Sequence, residues 1–266
     1  MTPVPFETAS RFAPEGAGRY VGVLTADWVQ GRGVYGGMVA AILARAAAAE
    51  VDADRPPRAF TIAFCAPAPP GEAEARVSVE RRGGSVTQVS ARLLAGGAVL
   101  ATAQATFAGP RRASLRFDER AMPELPDPAS VARGPDALYI PPFCQHFDLR
   151  QALGPAPFSG GGRARIGGWC RLRDAGVPDL GMIVAAMDAW APAVLGRVDR
   201  WTPAASVDLS VQLLADTPLE AAPDAWYAFE ARGRHAADGY ADEEAVLWTA
   251  AGRPVAVARQ LVAVFE

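Results

Sequence analysis

Val34-Tyr35-Gly36-Gly37-Met38-Val39-Ala40-Ala41 and Gly181-Met182-Ile183-Val184-Ala185-Ala186-Met187-Asp188 are two tellings of one motif. Each opens an apolar, alanine-containing helical stretch. Each is followed by alternating strand-like runs, closing at Ala105-Thr106-Phe107 in the first copy and Ala263-Val264-Phe265 in the second. The offset between copies is 144 residues at the Gly-Met pair and 158 at the closing Phe, so the copies differ by loop insertions. In that register Asp188 stands where the first copy has Ala44. A duplicated scaffold with one carboxylate added suggests one working site per pair of copies.

Outward from the two motifs the chain divides readily. In the first copy Arg19–Leu24 alternates like a strand, Gly31–Gly33 is a flexible turn, and the helix runs from Gly37 to about Glu50. That helix is apolar on nearly every side and should therefore be enclosed. Strand-length runs follow at Phe60–Cys65, Ala73–Arg81, Thr87–Leu94 and Val99–Phe107, with hairpin breaks at Gly83-Gly84 and Gly96-Gly97. The second copy has strands at Phe143–Arg150 and Arg165–Leu172 and a helix from about Asp179 to Leu195, interrupted or ended near Pro192. Four strands follow, at Ala205–Leu214, Ala225–Arg232, Glu244–Thr249 and Val255–Phe265. We expect an N-terminal unit over 1–110, a Pro- and charge-rich connector over 111–139, and a C-terminal unit over 140–266. The fold class is α+β.

Composition excludes several functions. Half of the 266 residues are hydrophobic, enough for a sizeable core, and the net charge of −3 gives no case for nucleic acid. The positive charge is carried by arginine, so an acidic ligand would be bound by local arginines rather than by a global field. Cys65, Cys144 and Cys170 form no metal-ligand spacing, and they lead us to expect a reduced, cytoplasmic setting. Cys65 and Cys170 read as core residues. Neither a signal-peptide pattern nor an apolar run of membrane-spanning length is evident, so no membrane partner is expected. His146 and His235 are too few and too separated for a metal site or a triad, and Gly160-Gly161-Gly162 lacks the Lys-Ser/Thr of a phosphate-binding loop. No metal or cofactor is expected.

The chemistry converges on Asp188. Its sequence neighbours are apolar on both sides, and a carboxylate there needs donors or an opening. A structural Asp paired with Arg197 or Arg200 is the alternative. Ser206 can donate to a carboxylate while accepting from a water, and alternation puts Gln260 on the apolar face of its strand with Ala256, Ala258, Val262 and Val264. The first copy offers Pro57 near the Ser206 position and Thr102 near that of Gln260. Together Asp188, Ser206 and Gln260 form an acid, hydroxyl and amide set able to hold one water. Asp208, alternating onto the face of Ser206 and Ser210, is a rival acid.

The Val34-Tyr35-Gly36-Gly37 motif, the Phe60–Pro67 strand and the Arg82-Gly83-Gly84-Ser85 turn resemble the acyl-CoA thioesterase II type, within the thioesterase-like superfamily. So do Phe143–Leu149, Ala186-Met187-Asp188, Ala205-Ser206-Val207-Asp208-Leu209-Ser210 and the closing Gln260 strand. The resemblance spans about residues 17–110 and 140–266. It implies a tandem (double) hotdog, antiparallel sheets each wrapped around a central apolar helix. It also implies hydrolysis of an acyl-CoA to free acid and CoA by general-base activation of water, with Asp188, Ser206 and Gln260 catalytic. Here the hydroxyl is Ser where Thr is commoner, and Leu261 stands where an acidic residue is frequent. Gly36 and Gly37 would contribute to substrate binding at a helix N-terminus. Rival readings are a non-hydrolytic acyl-CoA binding protein and a hotdog dehydratase or hydratase, which would need a histidine in the site. Trp169, Trp190 and Trp201 would shorten the acyl tunnel, and a homodimer or tetramer is expected.

Overall fold

The computed structural model describes residues 3–133, 140–174 and 176–265. The first half comprises β1 (Arg19–Leu24), α1 (Gly36–Ala49), β2 (Pro57–Phe64), β3 (Gly71–Arg82), β4 (Val86–Ala95) and β5 (Ala98–Ala108). The second comprises β6 (Phe147–Leu153), β7 (Arg165–Leu172), α2 (Leu180–Met187), β8 (Ala204–Leu213), β9 (Tyr227–Arg232), β10 (Tyr240–Thr249) and β11 (Pro254–Val264). The expected strands are all present, with ends shifted by a few residues. The end of the expected connector, residues 134–139, lies outside the described residues.

All of these strands lie in one antiparallel sheet, ordered β1-β3-β4-β5-β2-β8-β11-β10-β9-β7-β6. Two short strands, Ala13–Pro14 on β1 and Ala236–Ala237 on β10, complete it. The order reads identically outward from the centre in both halves, and the halves join where β2 pairs with β8 from Ala59–Gln212 to Ala63–Asp208. Each half curls around its own helix, so the tandem hotdog is present, with the two sheets fused into one. The β4–β5 hairpin turns at Gly96-Gly97, both at positive φ, the conformation that a two-residue turn between twisted strands requires.

The helices are apolar because they are enclosed. Residues Gly37 to Ala47 of α1 and every residue of α2 are buried. They run antiparallel, since the start of α1 meets the end of α2 at Gly36–Asp188 and the end of α1 meets the start of α2 at Arg45–Asp179. At this second pole the buried Arg45 guanidinium bonds Glu7, Ser10 and Asp179, and Asp179 caps α2 through Met182 N–H at 3.0 Å. The charges there are mutually satisfied, which a buried cation requires.

Four expectations need correction. The second helix stops at Met187 rather than Leu195, and Asp188 is its C-cap (φ −106°, ψ 5°). Pro192 explains this, because a proline ring clashes with the carbonyl four residues back if that residue is helical. Cys65 lies beyond the end of β2 and is exposed, whereas Cys170 is buried as expected. Trp169 packs with Ala228 and Trp248 against Met122 and Leu125, on the sheet face opposite Phe229 and Ala231, and Trp201 is 63% exposed. Of the three tryptophans expected to line a tunnel, Trp190 alone joins the main core, stacked on Phe229. The segment 109–127 is irregular and crosses that outer face, its Arg120 and Pro126 carbonyls accepting the Trp248 and Trp169 indole N–H groups.

Candidate active site

The site is built from both halves. Asp188 is delivered by the end of α2, Ser206 by the third position of β8 and Gln260 by β11. Gln260 Nε2 and Ser206 Oγ both donate to Asp188 Oδ1, at 3.3 and 3.4 Å, and Gln260 Nε2 also donates to Ser206 Oγ. The three residues singled out in the sequence therefore meet. Asp188 is 9% exposed, and Ser206 and Gln260 are half-buried.

Ser206 reaches this face only because β8 is bulged. Strict alternation would group it with Asp208 and Ser210, away from the core residues Leu209 and Val211. In the ladder Ser206 stands opposite Val262 and Asp208 opposite Leu261, leaving Val207 as the extra residue. One extra residue reverses the facing of everything before it. Asp208 is thereby excluded from the site; its carboxylate accepts the Leu261 N–H at 3.0 Å on the exposed side. The same bulge occurs in the first half, where Arg58 is extra between Pro57–Phe107 and Ala59–Thr106. The two ladders superpose Ser206 on Pro57, and Gln260, opposite Leu209, on Ala105, opposite Phe60. Ala105, not Thr102, is thus the counterpart of Gln260, and Val262 rather than Phe265 is that of Phe107. With Ala44 for Asp188, every polar group of the set has an apolar counterpart.

Gly36 and Gly37 from the first half complete the pocket around the carboxylate. A Cβ on Gly36 would lie 2.8 Å from Asp188 Oδ2 and 3.0 Å from the Phe64 ring, and one on Gly37 would strike the Tyr35 ring. The Tyr35 ring, fully buried and stacked on Phe143, donates its hydroxyl to the Ala185 carbonyl in the last turn of α2. The motif Tyr-Gly-Gly therefore ties one helix end to the other and clears space for a carboxylate between them. Burial pushes the Asp188 pKa up to about 7, although the Gly37 backbone N–H, Ser206 and Gln260 all favour its charged form. The carboxylate is therefore poised between charged and neutral near neutrality. Neither Arg197 nor Arg200 pairs with it among the described residues.

A second carboxylate escaped notice in the sequence. Glu243 on β10 stands directly across the ladder from Gln260, is 7% exposed, and accepts the Ala193 N–H from the loop after Asp188. Burial, with the nearby Asp188 and Asp242 charges, raises its pKa to about 7. Strand alternation in Asp242-Glu243-Glu244 offered no reason to single out the middle acid. Both histidines lie elsewhere: His146 is stacked on Trp28 and 3.1 Å from Asp27, and His235 is exposed. Among the described residues no cluster of His, Cys, Asp and Glu could hold a metal, and no helix is long and apolar enough to cross a membrane.

A fused pair of helix-in-sheet units with one buried acid–hydroxyl–amide set is the double-hotdog class of protein. The chain belongs to the acyl-CoA thioesterase family: residues 24–108 match the model of the acyl-CoA thioesterase N-terminal domain and residues 118–264 that of the C-terminal domain. Among solved structures it resembles a hot dog fold protein of unknown function from Alicyclobacillus acidocaldarius (TM-score 0.88, 26% identity, 98% of each chain). It also resembles a candidate thioesterase II from Thermobifida fusca YX (0.84, 27%, 100% of each chain). An acyl-CoA thioesterase II, TesB2, from Mycobacterium marinum shares the fold (0.77, 20%, 98% of each chain). No protein of curated function matches the chain.

Proposed function

We propose that the protein hydrolyses an acyl-CoA thioester to the free acid and CoA. The observation that carries this reading is the meeting of Asp188, Ser206 and Gln260 beside the N-terminus of α1. A water held by Ser206 and Gln260 gives a proton to Asp188 as its oxygen attacks the thioester carbonyl carbon. The tetrahedral oxyanion faces the first turn of α1, whose early N–H groups have no intrahelical acceptor, and the Gly36 N–H is its donor. When the carbon–sulfur bond breaks, the Asp188 proton passes to the departing thiolate. Water is the only co-reactant and no covalent enzyme intermediate forms. A carboxylate with a pKa near 7 suits both proton steps, since it accepts and returns a proton at little cost. A cytoplasmic setting and a homodimer or tetramer belong to the same reading.

Thiol release from a panel of acyl-CoAs tests it, with wild type beside Asp188→Asn. Release by the wild type that falls at least about 100-fold in a folded variant is the expected result. Binding of acyl-CoA without release would replace the enzyme with an acyl-CoA binding protein. Hydration or dehydration of the acyl chain in place of thiol release would point to the hydratase chemistry instead.

A further inference from the structure

We infer that Glu243 is a positioning residue of the hydrolysis: it anchors the chain segment that follows Asp188 and places a second acid beside that carboxylate; this rests on the proposed function. Ser206, Gln260 and Glu243 come from three consecutive strands of the sheet, β8, β11 and β10. Gln260 and Glu243 are direct partners in the ladder. Both side chains therefore stand on the inner face, with Cβ atoms about 5 Å apart.

The segment is fixed at three points. At its start the Asp188 and Ala189 N–H groups donate to the Ala185 and Ala186 carbonyls, at 3.2 and 3.4 Å, and end α2. In its middle the Trp190 ring is stacked on Phe229. At its end the Leu195 N–H donates to the Pro192 carbonyl at 3.0 Å, closing a short helical turn over Ala193–Gly196. The first N–H of such a turn has no acceptor within it. That donor is Ala193, and Glu243 Oε2 accepts from it. Among the described residues Glu243 is the one side chain bonded to the backbone of 189–193. Without that bond, the chain between Asp188 and the turn is held by packing alone.

A capping bond alone does not call for an acid. The inner face around Glu243 consists of Ala241 and Ala245 on its own strand and Ala258 and Val262 on either side of Gln260, all buried. The charged groups acting on it are two further acids, Asp188 and Asp242. Asp242 turns to the outer face, where it accepts the Arg234 and His235 N–H groups, and Arg259 pairs with Glu244 on that face. Neither residues 189–196 nor the inward residues of β11 include a cation. A glutamine in this place would accept the Ala193 N–H without repelling Asp188. The acid instead sets a second negative charge near Asp188, which makes Asp188 the stronger proton acceptor.

Two variants separate anchor from charge, with thiol release from an acyl-CoA followed across pH. Glu243→Leu suits the apolar surroundings but cannot accept the Ala193 N–H. Its kcat should fall about 10-fold or more, with KM within about 2-fold and the circular dichroism spectrum unchanged. Glu243→Gln keeps an acceptor of the same length. Its plateau kcat should return to within about 3-fold of wild type, while the midpoint of its pH profile moves to lower pH. Wild-type kcat in the leucine variant, a glutamine variant no better than leucine at the plateau, or a glutamine midpoint at the wild-type pH would each overturn the proposal. Should Glu243→Leu fail to fold, the glutamine midpoint decides, since a residue that only supports the fold leaves it unmoved. A wild type that releases no thiol overturns the hydrolase reading and this role with it, an outcome distinct from release that both variants leave unaltered.

Discussion

In the proposed reaction Asp188 sets the chemistry at the scale of single residues, and its activity and its cost run in opposite directions with pH. In the unfolded chain its pKa is near 3.8, whereas in the folded protein burial holds it near 7. The folded state thus binds the extra proton between these values, so this group's contribution to stability is largest below about pH 4 and declines as pH rises toward 7. A general base needs the opposite state: kcat/KM should rise through an apparent pKa near 7 to a plateau, which a pH–rate profile checks. Asp188→Asn should remove the electrostatic cost, raising stability by about 1–2 kcal/mol at pH 8 and by almost nothing at pH 4. Urea unfolding at the two pH values reads this directly. The Asp188 charge raises the Glu243 pKa, and because such repulsion is mutual, Glu243→Gln should shift the profile of kcat/KM to lower pH.

At the scale of elements, two local features aim the side chains. Pro192 ends α2 at Asp188 and so turns a helical position into a cap facing α1. The Val207 bulge turns Ser206 inward. Deleting Val207 would make the ladder regular and still leave Ser206 opposite Val262 and facing inward, because the residue directly before outward-facing Asp208 then points to the site. We expect turnover to stay within about 10-fold of wild type with the fold retained, whereas Ser206→Ala should lower it further, checked by circular dichroism beside thiol release. Gly36→Ala would place a methyl 2.8 Å from the carboxylate. Turnover should fall at least about 10-fold, with the loss in kcat rather than in KM. The helices, the hairpins at Gly83-Gly84 and Gly96-Gly97 and the role of Gln260's face were readable from periodicity alone. The bulge was not, because the two-versus-one count exists only between partner strands; alternation read within β8 grouped Ser206 with Asp208.

For the whole molecule, the antiparallel pair α1–α2 makes two poles from one duplicated plan. One is neutralised by Arg45, Asp179 and Glu7; the other holds Asp188 against Gly36 and Gly37. Because β2 pairs with β8 and the site draws on both halves, neither half presents a complete sheet or site alone. Residues 1–110 expressed separately should aggregate through the open β2 edge, as size-exclusion chromatography would show, while co-expression with 111–266 should restore thiol release. The repeat, the enclosed helices and the identities of Asp188 and Gln260 were determined by the sequence itself, because hydrophobic period and an isolated polar residue in apolar surroundings are local patterns. The junction of the two sheets, the placement of the first half's glycines on the second half's carboxylate, and the presence of Glu243 were decided only by tertiary structure. These depend on which strands pair and in which register, and a register is a property of two chain segments, never of one.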